Sequence, residues 1–182
     1  PEVFSGEEYT KAADVYSFAF VAYEIITGIP PYHDVSHDKD LAFNICNGFR
    51  PKIPFNMPKL ITQIIMRCWD ARITHRPTFD ELSVELDKYW MNYKKNGFDN
   101  NNEISIQIKE AEEFSKNQIT DATAATSVNY ITHPLAIYTS RLLNFSNLPK
   151  PKNEEKFEKK LAELTESFYQ INSSKHQLYL LL

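Results

Sequence analysis

Residues 14–28 read DVYSFAFVAYEIITG, and this stretch decides the fold. Val15, Tyr16, Phe18, Ala19, Phe20, Val21, Ala22, Tyr23, Ile25 and Ile26 place apolar side chains all round a helical wheel. A helix in water that is apolar on every side has to be wrapped by other protein. Its polar exceptions sit near the ends: Asp14 is placed as an N-cap, and Gly28 followed by Pro30 and Pro31 is a stop signal. The stretch predicts a buried central helix of about four turns, around which the remaining elements pack.

Downstream the pattern continues as helices joined by short loops. Residues 40–47 read as a short helix ended by Gly48, and 49–58 as irregular chain with three prolines. Over 59–70, Leu60, Ile61, Ile64, Ile65, Cys68 and Trp69 form a one-sided apolar stripe at helical spacing. An aromatic on such a stripe is core, and Trp69 is read so. A helix over 78–93 opens with Thr78-Phe79-Asp80-Glu81, a capping box in which Glu81 reaches back to the cap. Phe79, Leu82, Leu86, Tyr89, Trp90 and Tyr93 continue its stripe.

Four landmarks now stand in order: Pro1-Glu2, DVYSFAF, GIPPY and RCWDARITHRPTF. With these spacings, residues 1–93 resemble the lower half of a protein kinase C-lobe, nearest the tyrosine-kinase-like group. Pro1-Glu2 matches the end of the alanine-proline-glutamate motif that closes the activation segment. The resemblance implies a mainly α half-lobe packed round the central helix, with a partly helical tail. It implies that Glu2 pairs with Arg76, the alternative being a solvated carboxylate; a buried carboxylate needs such a partner. Asp14 would bond the backbone of the catalytic loop and anchor the side chains that align the active site, the alternative being a plain N-cap. Val21 and Ile25 would support the stack that runs up to the adenine. The segment around Pro1 and Glu2 would form part of a peptide-substrate platform. Two positions depart from the family pattern, Ala19 for a glycine and Tyr16 for a tryptophan, and neither argues inactivity.

The chemistry of phosphoryl transfer needs a glycine-rich loop, a strand lysine, a catalytic Asp, and an Asp and Asn that hold magnesium. None of these motifs occurs here. Gly6, Gly28, Gly48 and Gly97 stand too far apart to cradle a phosphate, His75-Arg76-Pro77 belongs to the RPTF turn, and Gly97-Phe98-Asp99 is linker. In family order these parts precede Pro1. With no initiator methionine or leader pattern at Pro1, the chain reads as a piece of a longer protein. No catalytic, metal or cofactor residue is expected within it; ATP and magnesium would belong to the parent kinase, and its substrate would be a protein. The rival reading is a non-catalytic, pseudokinase-like binding or scaffold module. An unrelated all-helical interaction domain would leave the four landmarks as coincidence.

Composition sets the outer bounds. With 182 residues, 42% hydrophobic and 13% aromatic, the chain can build a core. A net charge of −4 without a basic stripe argues against nucleic-acid binding. No apolar run reaches the length of a membrane span, the longest candidate being residues 178–182. Cys46 and Cys68 lack the close partner that a metal or redox pair needs, so they read as buried free thiols in a reducing compartment, the cytoplasm. His33 and His37 with Asp34 and Asp38 have a metal-like spacing, but the prolines make their segment a loop rather than the helix such a pair requires.

The second half divides differently. Residues 94–102, KKNGFDNNN, open a linker over 94–128. Within it Ile104, Ile106 and Ile108 alternate with polar residues as in a short strand or extended segment. The tail, 129–182, starts with a proline-broken apolar stretch over 130–151 that is expected to dock back on the first half. It continues in an amphipathic helix over 154–172, seamed by Phe157, Leu161, Leu164 and Phe168. That spacing suits packing within the chain or against a partner helix.

Overall fold

The computed structural model describes residues 1–95, 102–121, 130–139, 142–143, 145 and 147–179, with the backbone alone for 95, 117–121 and 168–179. All regular structure among the described residues is helical. Its elements are α1 (Lys11–Thr27), α2 (Lys39–Cys46), α3 (Lys59–Cys68), a 3-10 turn (Ile73–His75), α4 (Phe79–Lys95), α5 (Glu103–Asp121) and α6 (Glu155–Tyr179). The architecture of the described residues is mainly α, as expected.

α1 starts one turn before Asp14. Thr10 is extended, and its hydroxyl accepts from the Ala13 N–H, so Thr10 is the N-cap. Lys11, Ala12 and Ala13 are good helix formers and carry the helix back to that cap. Asp14 therefore lies in the first turn, exposed. Gly28 ends the helix in the left-handed region at φ 67°, its N–H donating to the Glu24 carbonyl at 2.8 Å.

α1 is covered in part only. Val15, Tyr16, Ala19 and Tyr23 are buried, whereas Val21 is 58% and Ile25 77% exposed. The expectation of a helix wrapped all round is corrected: among the described residues, α3, the Trp69 turn, the 3-10 turn and the side chains of Tyr32 and Phe79 cover part of it and leave the Val21–Ile25 face open. Trp69 is fully buried, its ring 5.1 Å from Phe20 and 5.8 Å from Tyr23, and it is core as read from the sequence.

α3 is the hub, touching both α1 and α6, while α5 packs on α4. α3 has no side-chain cap of its own, because Pro58 precedes it. The Gln107 side chain of α5 takes that place, accepting from the Leu60 N–H at 3.0 Å. α4 opens on the expected capping box: the Glu81 carboxylate accepts from the Thr78 N–H at 2.7 Å, and the Thr78 hydroxyl from the Glu81 N–H at 3.2 Å. Leu82 and Tyr89 are buried on α4, but Phe79 and Trp90 are exposed by 45% and 58%. A salt bridge from Arg67 to Glu85 (2.7 Å), with the Tyr89 hydroxyl donating to the same carboxylate, clasps α3 to α4.

The alternating isoleucines are not a strand. They lie in α5, whose first turn is capped by Asn102 through the Ser105 N–H at 3.0 Å. Ile104 is buried and Ile108 packs against the same core, one helical turn apart, while Ile106 turns outward. The tail docks back on the first half. The Lys152 N–H donates to the Cys46 carbonyl at 2.9 Å. α6 then lies along α3, with Phe157 against the core and the Gln63 amide donating to the Thr165 hydroxyl at 3.2 Å. Leu161 and Leu164 are half-buried in the same seam; the Phe168 side chain, like residues 97–99, lies outside the described set.

Candidate functional site

The most strongly built polar cluster lies where the N-terminal loop, the start of α1 and the 3-10 turn meet. Residues 1–7 form three overlapping tight turns, with the Glu7 N–H donating to the Glu2 carbonyl at 3.0 Å, and the Glu2 side chain points inward. Arg76 follows the 3-10 turn in extended conformation, locked by Pro77 on its far side. Its guanidinium spans Glu2 with two nearly parallel bonds: Nη1 donates to Oε1 at 2.7 Å and Nη2 to Oε2 at 2.8 Å. Both residues are buried. The remaining donors are used as well, Nε on the Asp70 carbonyl at 2.7 Å and Nη1 on the Ala12 carbonyl at 2.9 Å. The guanidinium stacks 4.9 Å from the Tyr16 ring.

The electrostatics follow from that geometry. Burial by itself would raise the Glu2 carboxyl, but the hydrogen bonds from Arg76, a backbone hydrogen bond and the charges of the Pro1 ammonium and Arg76 together outweigh it and hold it at about 2. Burial pushes the Tyr16 phenol up to about 12, against the pull of Arg50 and Arg76, and its hydroxyl finds no protein partner among the described residues. Burial likewise pushes the Cys68 thiol up to about 12 and raises that of Cys46, so both cysteines are free, buried and protonated.

The other residues singled out in the sequence stand apart from this cluster. Asp14 is on the exposed side of α1, and its hydrogen bond raises the phenol of the neighbouring Tyr9. Val21 and Ile25 project from the uncovered face, one turn apart. His33 and His37 are bonded to the backbone of residues 131 and 137, and no group of three or more metal-ligating side chains converges among the described residues.

Two residues that sequence reading passed over, the buried Asp70 and the half-buried Arg50, hold the cluster's surroundings. Asp70 accepts from the Arg72 N–H (2.8 Å), from its guanidinium (3.0 and 2.9 Å) and from the Asn153 amide (2.9 Å). Arg50 donates to the carbonyls of Trp69, Ile45 and Phe49 and lies between the Tyr16 and Phe157 rings. The only local signal was the Asp70-Ala71-Arg72 spacing; Arg50 and Asn153 carried none.

Comparison with known proteins places this geometry. Residues 1–86 match the family model described as "Protein tyrosine and serine/threonine kinase". Three proteins of Dictyostelium discoideum are similar over just under half of the chain. They are roco5, by name a serine/threonine-protein kinase (42% identical over 95 residues), the dual specificity protein kinase shkD (41% over 92) and the dual specificity protein kinase pyk3 (36% over 87). Each alignment covers 47% or 48% of this chain, but 3%, 12% and 6% of the relative. The chain thus spans a small part of the curated relatives it matches. A solved structure, the AtMLKL3 tetramer, aligns with a TM-score of 0.48 and 34% identity over 65% of this chain and 23% of the other. The four ordered landmarks, the helical architecture and the family match converge: residues 1–86 are a C-lobe portion of a protein kinase domain.

Proposed function

We propose that this chain is the base of the catalytic domain of an ATP- and magnesium-dependent protein kinase of the tyrosine-kinase-like group, one that phosphorylates serine or threonine in proteins. Its role is to hold the active site from below. The observation that carries this reading is the buried Arg76 fork on Glu2, which fixes the N-terminal loop against α1 and the 3-10 turn. A loop pinned in that way gives a substrate platform a rigid footing. Asp14, Val21 and Ile25 lie along the exposed side of α1, free to meet further parts of such a domain.

The residues described do not fit ATP or magnesium. Gly6, Gly28 and Gly48 each occupy a separate turn, and no acidic set converges. No step through either group is assigned to this chain.

The test is phosphoryl transfer from ATP to a protein substrate by the natural full-length protein. Wild type is expected to be active, and Arg76→Ala to lose most of that activity together with thermal stability. A folded full-length protein that neither binds ATP nor transfers phosphate would overturn the kinase reading and leave the scaffold reading in its place.

A further inference from the structure

We infer that the outer edge of the loop over residues 29–38 is a docking edge for a short, uncharged peptide with a tight turn at its centre, and that residues 130–139 of the same chain fill it in cis.

The edge is preformed. Pro30 and Pro31 restrict its entry, and Tyr32 holds the left-handed region at φ 57°, a strained conformation for a bulky residue. It is kept there from inside, the Tyr32 hydroxyl donating to the Phe49 carbonyl at 3.1 Å and its ring packing on Phe20 and Phe49. The loop therefore presents its outer polar groups in one fixed order.

Residues 130–139, YITHPLAIYT, read that order mainly with their backbone. The His133 N–H donates to the His33 carbonyl at 2.7 Å, and the His37 N–H to the Leu135 carbonyl at 3.0 Å. His33 Nδ1 lies 3.3 Å from the Ile131 carbonyl, and the Ile137 N–H meets His37 Nδ1 at 3.1 Å. An aromatic ring closes each end, Tyr130 5.0 Å from His33 and Tyr138 4.9 Å from His37, and the Tyr138 hydroxyl donates to the Pro31 carbonyl at 3.0 Å. Between these contacts the segment turns: the Ala136 N–H donates to the His133 carbonyl at 2.9 Å and the Leu135 N–H to His133 Nδ1 at 3.1 Å, so the edge holds a turned backbone with an aromatic side chain at each end.

The hold is shallow. Ile131 is 88% exposed, Leu135 58% and Tyr138 50%, so the segment is kept by hydrogen bonds at the surface and not by burial. What favours it is tethering: α5 precedes it, and the Lys152 and Asn153 anchors follow, so its local concentration is high. A partner peptide of the same chemistry, neutral and turned with an aromatic residue at each end, competes for the edge whenever the cis segment leaves. This inference stands apart from the kinase reading, because binding is measured without phosphoryl transfer.

The test uses the complete chain and a fluorescently labelled synthetic peptide YITHPLAIYT, followed by anisotropy. Tyr130→Ala with Tyr138→Ala weakens the cis segment at two exposed positions. The peptide is expected to bind this double variant about tenfold more tightly than wild type, and His33→Ala added to it to weaken binding measurably by removing the Nδ1 and ring contacts. Equal affinity for wild type and double variant overturns the inference, as does no saturable binding to a double variant whose helicity and melting match wild type. Hydrogen exchange on the unmodified chain is an independent check. The His133 and His37 amides are expected to exchange at least about tenfold faster than that of Leu60; equal protection would make the segment a permanent part of the fold.

Discussion

Arg76 closes on Glu2 from 74 residues away, with two hydrogen bonds of 2.7 and 2.8 Å that leave neither side chain in contact with water. Glu2 also meets the Pro1 ammonium at 3.2 Å. Arg76→Ala is expected to leave the buried carboxylate with that partner alone, and to cost about 3 kcal/mol or more of stability. Urea denaturation measures it. A loss below about 1 kcal/mol would place the pair among solvent-screened surface bridges.

The same pair sets a pH dependence. The folded-state pKa of Glu2 is lowered from the ordinary 4.5 to about 2. A depressed acid contributes its full stabilisation above the unfolded value and loses it as pH falls through the folded one. The contribution, about 3 kcal/mol at 1.36 kcal/mol per unit, is therefore present above pH 4.5 and fades towards pH 2. Melts of wild type and Glu2→Gln across this range should converge as the pH drops. A gap that stays constant would sink the assignment.

Gly48 does more than stop α2. At φ 102° a side chain is strained, and an added Cβ would lie 2.6 Å from the Glu154 backbone nitrogen at the start of α6. Gly28→Ala shares the positive φ but meets nothing within 4 Å. Gly48→Ala is expected to be the costlier change, by about 2 kcal/mol, through collision as well as strain. Equal losses for the two would mean that α6 shifts away freely.

Tyr16 invites a mild substitution. Its hydroxyl is buried without a protein partner, so Tyr16→Phe removes an unmade hydrogen bond while keeping the ring beneath Arg76. Stability is expected to stay within about 1 kcal/mol of wild type or to rise, against a loss of about 3 kcal/mol or more for Tyr16→Ala. A large loss in the phenylalanine variant would reveal a partner for the hydroxyl.

Val21 and Ile25 make the uncovered face of α1 sticky. The isolated chain is expected to bind exposed-apolar dyes and to aggregate on heating. Val21→Lys with Ile25→Lys should suppress both while moving stability by no more than about 0.5 kcal/mol at each site. Dye binding that persists in the double variant would locate the exposed apolar surface elsewhere.

What could be read from the sequence was what is decided locally. The Gly28 stop, the α3 stripe and the Thr78–Glu81 box each lie within a few residues, and each was found in place. Failures arose where one local pattern has two solutions. Ile104, Ile106 and Ile108 alternate, but Ile104 and Ile108 are also one helical turn apart, and only packing on α4 decides between them. Asp14 is a good cap residue, but Thr10 is one too, and the alanines between them favour the longer helix. For Glu2 and Arg76, nothing in the spacing announced a contact; the family resemblance supplied the expectation and the fold supplied the geometry. Arg50 and Asn153 act through backbone groups far along the chain, a kind of contact that leaves no motif.

The Gln107 bond to the Leu60 amide carries a consequence for where the cooperative unit ends. The kinase-like sequence stops near residue 86, yet the first turn of α3 is finished by an atom that lies beyond it. Cutting the gene at the motif boundary would leave that amide facing an apolar socket emptied of Ile104. Evolutionary kinship and the packed unit therefore have different borders here: α5 and α6 both pack on the kinase-like half, and a piece that stops at residue 93 is expected to melt below the complete chain.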